Sequence, residues 1–102
     1  MKPHKLDVRL LSIAQDDLYE VITYIGADNP AAAESIAAEI EKSLIHLTKH
    51  PKLGRIPREE ELVKLGYRYL IKEDYLIFYT IERNSILVHR IIHGSRDYGA
   101  IL

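Results

Sequence analysis

The sequence predicts an α+β fold of two layers, in which an N-terminal strand, a helical hairpin and a three-stranded antiparallel meander form a single domain over residues 1–102. Residues 5–11 alternate between apolar and polar side chains, which is typical of a half-buried strand. Residues 12–50 carry apolar side chains at helical spacing, and residues 67–93 return to alternation in three short segments. A chain of 102 residues can bury a core without disulfides or metal ions.

The first element is the strand over residues 5–11, because every second residue from Leu6 to Leu10 is apolar. The first helix is expected to begin at Ser12. Ser12 and Gln15 have the spacing of a capping box, in which the hydroxyl accepts from a backbone N–H and the glutamine reaches back. The apolar face of this helix consists of Ala14, Leu18, Val21, Ile22 and Ile25.

Asn29 and Pro30 end the first helix and start the second. Asparagine is a preferred N-cap, and proline at the first helical position gives up no donor that the helix needs. The apolar stripe of this second helix consists of Ala33, Ile36, Ala37, Ile40, Leu44 and Leu47. Its end is expected at His50, because Pro51 disfavours helix in the residue before it. The two helices therefore form a hairpin with a very short connection.

An irregular segment over residues 51–66 separates the hairpin from the meander. Strands are expected over residues 67–72, 75–82 and 86–93, and their short connections require antiparallel neighbours. Asn84 is available for a left-handed residue in the second turn. One face of this sheet must cover the helical hairpin, which leaves the other face partly open for a ligand or partner.

Composition and charge exclude several classes of protein. A formal net charge of −1 argues against a general nucleic-acid coater, so any contact with RNA or DNA needs a local basic patch. Cysteine is absent, which excludes thiol catalysis and fits a reducing cytoplasm. Without a signal-peptide run or a stretch long enough to cross a bilayer, we expect a cytoplasmic protein with no membrane partner. His4, His46, His50 and His89 show no spacing that would assemble a metal site with His93, so we expect no metal and no cofactor.

Seven segments, taken in order, resemble a known family. They are AQDDL at 14–18, YI at 24–25, NPAAA at 29–33, LTKHPKLGR at 47–55, GYRYL at 66–70, YLIFY at 75–79 and RIIHGSRDY at 90–98. Together they cover nearly the whole chain, and they resemble the RelE/ParE superfamily, the toxins of bacterial type II toxin–antitoxin systems. The spacing of the helix segments is closer to the ParE branch than to RelE.

The resemblance implies a toxin that a cognate antitoxin, usually encoded beside it, holds inactive by wrapping its surface, in a complex that can contain a toxin dimer. It implies no metal in the chemistry of either branch. Members of the ParE branch inhibit DNA gyrase by binding, which is the function we favour. Members of the RelE branch enter the ribosomal A site and cleave mRNA, which stays open as an alternative. A third alternative is a relative that binds its antitoxin but has lost toxicity.

A ribonuclease without a metal must activate the 2′-hydroxyl, stabilise the phosphate and protonate the leaving 5′-oxygen. Arg68 is the candidate phosphate clamp, because its planar guanidinium matches two oxygens and it resembles a strand arginine shared by many RelE-type enzymes. The alternative is a surface arginine paired with a carboxylate. Glu61 is a candidate general base, and the alternative for this run of three glutamates is a solvated face or an antitoxin contact.

His93 and Tyr98 are the candidate acid and base at the C-terminal end, by resemblance to RNA-cleaving relatives in which the two are adjacent. Four residues separate them here. The alternative, which we favour, is that His93 packs at the strand end while Asp97 holds Arg96 or Arg90.

The candidates for binding phosphate or the target are Arg55, Arg58, Arg90 and Arg96. The acidic run at residues 59–61 follows the first two directly and weakens the nuclease interpretation, because a polyanion site rarely tolerates it. Tyr67, Tyr69, Tyr75 and Tyr79 fall on two neighbouring strands and could stack on bases. The simpler interpretation is that these rings pack on their neighbours and leave their hydroxyls in water.

Overall fold

The computed structural model describes residues 6–102 and shows a mixed four-stranded sheet packed on a helical hairpin. Its elements are β1 (Asp7–Leu10), α1 (Ser12–Asp28), α2 (Pro30–Leu47), α3 (Glu60–Lys64), β2 (Arg68–Lys72), β3 (Tyr75–Glu82), β4 (Ser85–His93) and α4 (Tyr98–Ile101). The α+β prediction is confirmed, and the two short helices α3 and α4 are additions to it. His4 and Lys5, which the sequence analysis considered, lie outside the described residues.

The strand order is β1-β4-β3-β2, so the predicted meander is confirmed and the N-terminal strand joins it beside β4. β1 runs parallel to β4, with Asp7 opposite Ser85. The prediction for the β3–β4 turn was wrong in one detail. Arg83, with a φ of 44°, is the left-handed residue. The loop between Glu82 and Ser85 has two residues, and the turns that close such hairpins have a positive φ at the first of them. The carbonyl of Asn84 instead accepts from the Asp7 N–H at 2.9 Å.

The two long helices begin differently from each other. Asn29 caps α2 as predicted, since its Oδ1 accepts from the Ala32 N–H at 3.1 Å. The capping box predicted for α1 was wrong, because Leu11 is the N-cap and makes no side-chain bond. The Gln15 side-chain amide donates to the Leu10 carbonyl instead, at 3.1 Å. Among the helices within residues 6–102, none is both long and apolar enough to span a membrane.

The core lies between the hairpin and one face of the sheet. Its helical side is Ala14, Val21, Ile36, Ile40, Leu44 and Leu47, and its sheet side is Ile77, Tyr79, Ile86, Val88 and Ile91. The spacing of Val88 and Ile91 departs from strict alternation because a bulge places Val88 opposite Tyr79 and Arg90 opposite Phe78, with His89 as the extra residue. The bulge thereby returns β4 to the core at Ile91.

A buried ion pair joins α1 to β4 beside this bulge. The Arg90 guanidinium donates to both oxygens of Asp17, with Nε 2.7 Å from Oδ2 and Nη2 2.9 Å from Oδ1. The backbone N–H of Ile91 donates to the same carboxylate at 2.9 Å. Asp17 is 8% exposed, so water contributes little to its solvation. Of the two alternatives for Asp97, the pairing with Arg90 was wrong, because Asp17 of α1 holds that arginine. Within residues 6–102 no ion pair joins Asp97 to Arg96 either.

The face of the sheet away from the hairpin is covered in its middle and open toward β2. Phe78 is fully buried there under the Tyr98 ring of α4, with the two centroids 4.9 Å apart. Ile71 of β2 stays 47% exposed. The prediction of a partly open face therefore applies to the β2 end.

We expect Asp17→Ala to lower the free energy of unfolding by about 3 kcal/mol, measured by urea denaturation. Breaking a buried ion pair by removing one partner leaves the other charge uncompensated, a loss in the range of roughly 3–5 kcal/mol. The control is Glu60→Ala, which removes the exposed Lys64–Glu60 pair and should change stability by less than about 1 kcal/mol. Equal effects of the two substitutions would contradict a special role for Asp17.

Candidate functional site

Arg68, the candidate phosphate clamp, is engaged with the loop that follows α2. Its Nη1 donates to the carbonyl of Gly54 at 3.1 Å and to the carbonyl of Lys52 at 3.3 Å. The partner of this arginine is thus backbone rather than a carboxylate. In this position the guanidinium holds the loop against the start of β2.

Tyr79 of β3 also holds this loop, through its hydroxyl. Its hydroxyl donates to the carbonyl of Pro51 at 2.7 Å and accepts from the N–H of Gly54 at 2.9 Å. The expectation that the strand tyrosines leave their hydroxyls in water was wrong here, because Tyr79 is fully buried. Burial raises the pKa of its hydroxyl, against the lowering effects of the Gly54 hydrogen bond and the Arg68 charge. A Cβ on Gly54 would lie 2.5 Å from that hydroxyl oxygen, so only glycine allows this approach.

His93 lies at the exposed end of β4. The Ser95 backbone N–H donates to its Nδ1 at 3.1 Å, so the neutral ring carries its proton on Nε2. The ring also packs edge-on against Tyr75, with centroids 5.5 Å apart. This is the strand-end packing that the sequence analysis favoured.

Tyr98 is directed elsewhere, toward the loop before α3. Its hydroxyl donates to Glu59 Oε1 at 3.0 Å while its ring covers Phe78. Burial, followed by the hydrogen bond and charge of Glu59, raises the pKa of Tyr98, so its hydroxyl stays protonated. The glutamate that this tyrosine meets is Glu59, whereas Glu61 lies exposed in α3.

The four candidate catalytic residues do not form a connected set. Within residues 6–102, no hydrogen bond or ion pair joins any two of Arg68, His93, Tyr98 and Glu61. Each of the first three has partners of its own outside the strands, which are Lys52 and Gly54 for Arg68, Ser95 for His93 and Glu59 for Tyr98. A general acid or base must lie within hydrogen-bonding reach of the substrate atoms it serves, and within residues 6–102 these four side chains form no hydrogen-bonded acid–base pair with one another.

The four candidate arginines for phosphate or target binding do not form one cluster, although Arg90 and Arg96 line a shared concave surface together with His93. Arg55 pairs through its backbone with Tyr69, by hydrogen bonds of 2.8 and 2.9 Å, and its side chain is exposed. Arg58 and Arg96 are exposed, while Arg90 is engaged by Asp17. The hydrogen bond from Arg90 to Asp17 raises the pKa of the guanidinium above its already high value, which leaves it a permanent cation.

A half-buried histidine lies on the face away from the hairpin. Thr80 Oγ1 is 2.9 Å from Nε2 of His89, and the Tyr67 hydroxyl is 3.3 Å from its Nδ1. Burial lowers the pKa of His89, against the raising effect of Glu82. The imidazole is thus neutral at physiological pH and serves as a structural link between β2, β3 and β4.

A concave surface lies between α2 and β2, and we call it the α2–β2 groove. It encloses about 540 Å³ and is lined by Glu39, Lys42, Ser43, Ile45, His46, Lys49, Leu53, Leu70, Ile71 and Lys72. Ile45 and Leu53 contribute exposed apolar side chains to its lining, Leu70 of β2 adds a partly buried one, and Ile71 borders the groove at the sheet edge. Three lysines against one glutamate make it locally positive in a chain of net charge −1. Lys72 and Glu39 form an ion pair across it at 3.4 Å.

The groove runs along an edge strand. β2 ends the sheet, and Arg55 covers its outer side only at Tyr69. The N–H and C=O of Tyr69 point outward, because both bond to Arg55. Backbone groups two residues apart in an antiparallel strand point the same way, so the N–H and C=O of Ile71 also point outward, beside the groove. Such an edge can accept a strand from a partner.

Sequence reasoning missed the structural roles of two residues, Asp17 between α1 and β4 and Tyr79 under the loop after α2. Asp17 stands three residues after Ala14 and four before Val21, so its place on the buried face of α1 could have been read from helical spacing. A carboxylate in such a place needs a cation. Tyr79 carried no comparable signal, because nothing local distinguishes it from the other strand tyrosines.

Comparisons with known proteins agree with the fold described above. The family model described as the ParE toxin of type II toxin–antitoxin systems, parDE, matches residues 8–98. A solved chain of the chromosomal ParDE toxin–antitoxin system from P. aeruginosa is similar with a TM-score of 0.73 and 18% identity, over 89% of this chain and 98% of that one. A chain of the toxin–antitoxin complex RelBE2 from Mycobacterium tuberculosis has a TM-score of 0.62 and 21% identity, over 90% of this chain and 94% of that one. No curated protein matches the sequence significantly.

We expect Tyr79→Phe to lower the free energy of unfolding by about 1–3 kcal/mol, because the Pro51 carbonyl and the Gly54 N–H both lose their partner. Hydrogen exchange should report the loosening at the amide of Gly54. Tyr24→Phe is the matched control and should leave stability unchanged, since Tyr24 is 79% exposed. An unaltered exchange rate at Gly54 would show that the hydroxyl does not hold the loop.

Proposed function

The chain belongs to the ParE toxin family of type II toxin–antitoxin systems, and from this premise we propose that it inhibits DNA gyrase by binding, without bond-breaking chemistry of its own. The observation that supports the proposal is that the candidate nuclease side chains bond to other partners rather than to one another. Arg68 is engaged by backbone carbonyls, and Tyr98 is engaged by Glu59. A surface for a protein target requires exposed side chains on a rigid fold, and it does not require an assembled acid–base pair.

We expect the purified toxin, freed of antitoxin, to block the supercoiling of relaxed plasmid by gyrase. The toxin is titrated against a constant gyrase concentration, and the products are resolved on agarose. Addition of the antitoxin before the gyrase should restore supercoiling, which controls for nonspecific inhibition. Full supercoiling at a molar excess of folded toxin would contradict the proposal.

Ribosome-dependent cleavage of mRNA is the second candidate, and the observation that favours it is the exposed His93, which lines one concave surface with Arg90 and Arg96. Primer extension on a translated message would show new ends if it holds. Arg68→Ala alone would not be decisive, because that substitution also loosens the loop after α2. Tyr79→Phe loosens the same loop and keeps the guanidinium, so cleavage lost in the first variant and kept in the second would assign Arg68 to the phosphate. Absence of both activities in a folded protein would leave antitoxin binding without toxicity.

The antitoxin is the second partner, and we place its docking segment in the α2–β2 groove. The two structural relatives are toxin–antitoxin complexes. The exposed apolar residues of the groove favour apolar side chains in the partner, and its excess of lysines favours acidic ones. The outward backbone groups of Ile71 favour an extended segment that pairs with β2.

We expect Ile45→Glu to weaken antitoxin binding by about tenfold or more, because the new carboxylate would be buried against apolar side chains of the partner. The protein encoded by the neighbouring reading frame is the ligand, and its affinity is measured by calorimetry. Ile13→Glu on α1 is the matched control, since Ile13 is 46% exposed, Ile45 is 53% exposed, and Ile13 does not line the groove. Equal affinities of the two variants would place the antitoxin elsewhere.

A further inference from the structure

Two histidines at the end of α2 stand in the arrangement of a metal half-site. His46 lies in the last turn of α2 and His50 lies just beyond its end, and the N–H of His50 donates to the carbonyl of His46 at 3.1 Å, which holds the two residues one turn apart. Both side chains are exposed. They line one hollow together with Pro51, Lys52 and Leu53.

The ring separation fits shared coordination of one ion. The two imidazole centroids are 4.8 Å apart, with the ring planes inclined by 43°. An ion bound about 2 Å from one nitrogen of each ring would lie roughly 3 Å from each centroid, so a separation of 4.8 Å subtends about 100° at the ion. That angle lies between the cis angle of an octahedron and the angle of a tetrahedron. Both rings can turn about their terminal torsion, which is broad, to direct a nitrogen at the shared point.

We infer that His46 and His50 form a two-imidazole half-site for a divalent first-row transition metal. Neutral imidazole suits nickel, copper and zinc, whereas magnesium and calcium prefer oxygen ligands. Water would fill the remaining positions, since within residues 6–102 no group of three or more histidine, cysteine, aspartate or glutamate side chains is placed to hold a metal. The expected absence of a metal site concerned a site that includes His93, whereas His46 and His50 alone have the four-residue spacing that brings side chains together across one turn.

Neighbouring residues affect how tightly the half-site binds a metal ion and which surface a bound ion would lie beside. Lys52 lines the same hollow, and Lys49 lies one turn beyond Ile45 on the helix end, so positive charge opposes a bound dication. His46 also lines the α2–β2 groove. An ion held by this histidine therefore lies at the rim of the surface where we place the antitoxin. This overlap rests on the proposed function, whereas the metal half-site does not.

The test is calorimetric titration of the full-length chain, without a histidine tag, with nickel chloride at neutral pH. We expect one ion per chain, and a loss of affinity of about tenfold or more in both His46→Ala and His50→Ala, since each removes one of two coordinate bonds. Lys52→Ala should strengthen binding by relieving repulsion. His93→Ala is the matched control, because it removes another exposed histidine and should leave the titration unchanged.

The order of affinity gives a second readout. Copper should bind more tightly than nickel, and manganese more weakly, as expected for nitrogen ligands. Circular dichroism of each variant shows that it folds, so a lost titration is assigned to the ligand. Nickel bound equally by the wild type and the His46→Ala/His50→Ala double variant would overturn the inference, as would an equal loss in His93→Ala. These measurements require neither gyrase nor antitoxin, so their failure is separate from that of the proposed function.

Discussion

The relative position of the two layers depends on the polar contacts of one side chain, the carboxylate of Asp17. It lies on the buried face of α1 and receives the Arg90 guanidinium and the Ile91 N–H from β4. The β4 bulge carries His89 as its extra residue and places Arg90 and Ile91 beside this carboxylate. The core itself is apolar and could tolerate small shifts of helix against sheet. A bidentate ion pair cannot, because its hydrogen bonds require one orientation, so the Asp17–Arg90 pair specifies how the layers meet.

A second set of polar contacts has a consequence for function. Tyr79 and Arg68 hold the loop after α2 by its backbone, from Pro51 to Gly54. The loop then pairs with β2 through Arg55 and leads into α3. An arginine at this position suggested phosphate chemistry, and in this structure its guanidinium bonds to the loop carbonyls of Lys52 and Gly54. The same side chain can serve either purpose, and only its partners distinguish them.

The groove between α2 and β2 combines three features that favour a partner. Apolar side chains come from the helix and from the strand, lysines surround them, and the edge of the sheet runs alongside. A partner that satisfies all three must be extended, partly apolar and acidic. This requirement is the physical basis for placing the antitoxin there. The target of the freed toxin is a separate question, since a target need not use the surface that the antitoxin covers.

The sequence by itself determined the class of the fold and the order of its elements. Local patterns carry that information, because the alternation in the strands, the Asn29–Pro30 start of α2 and the short turns each act within a few residues. It also carried the family resemblance, which the match over residues 8–98 confirmed. Only the tertiary structure decided where the polar side chains find partners. Asp17 and Arg90 are 73 positions apart, and Tyr79 reaches Pro51 across 28. The start of α1 shows the same limit at short range, since Ser12 and Gln15 fit a capping box while Leu11, extending from β1, became the cap. Contacts between distant segments depend on how the layers pack, and no local pattern records that packing.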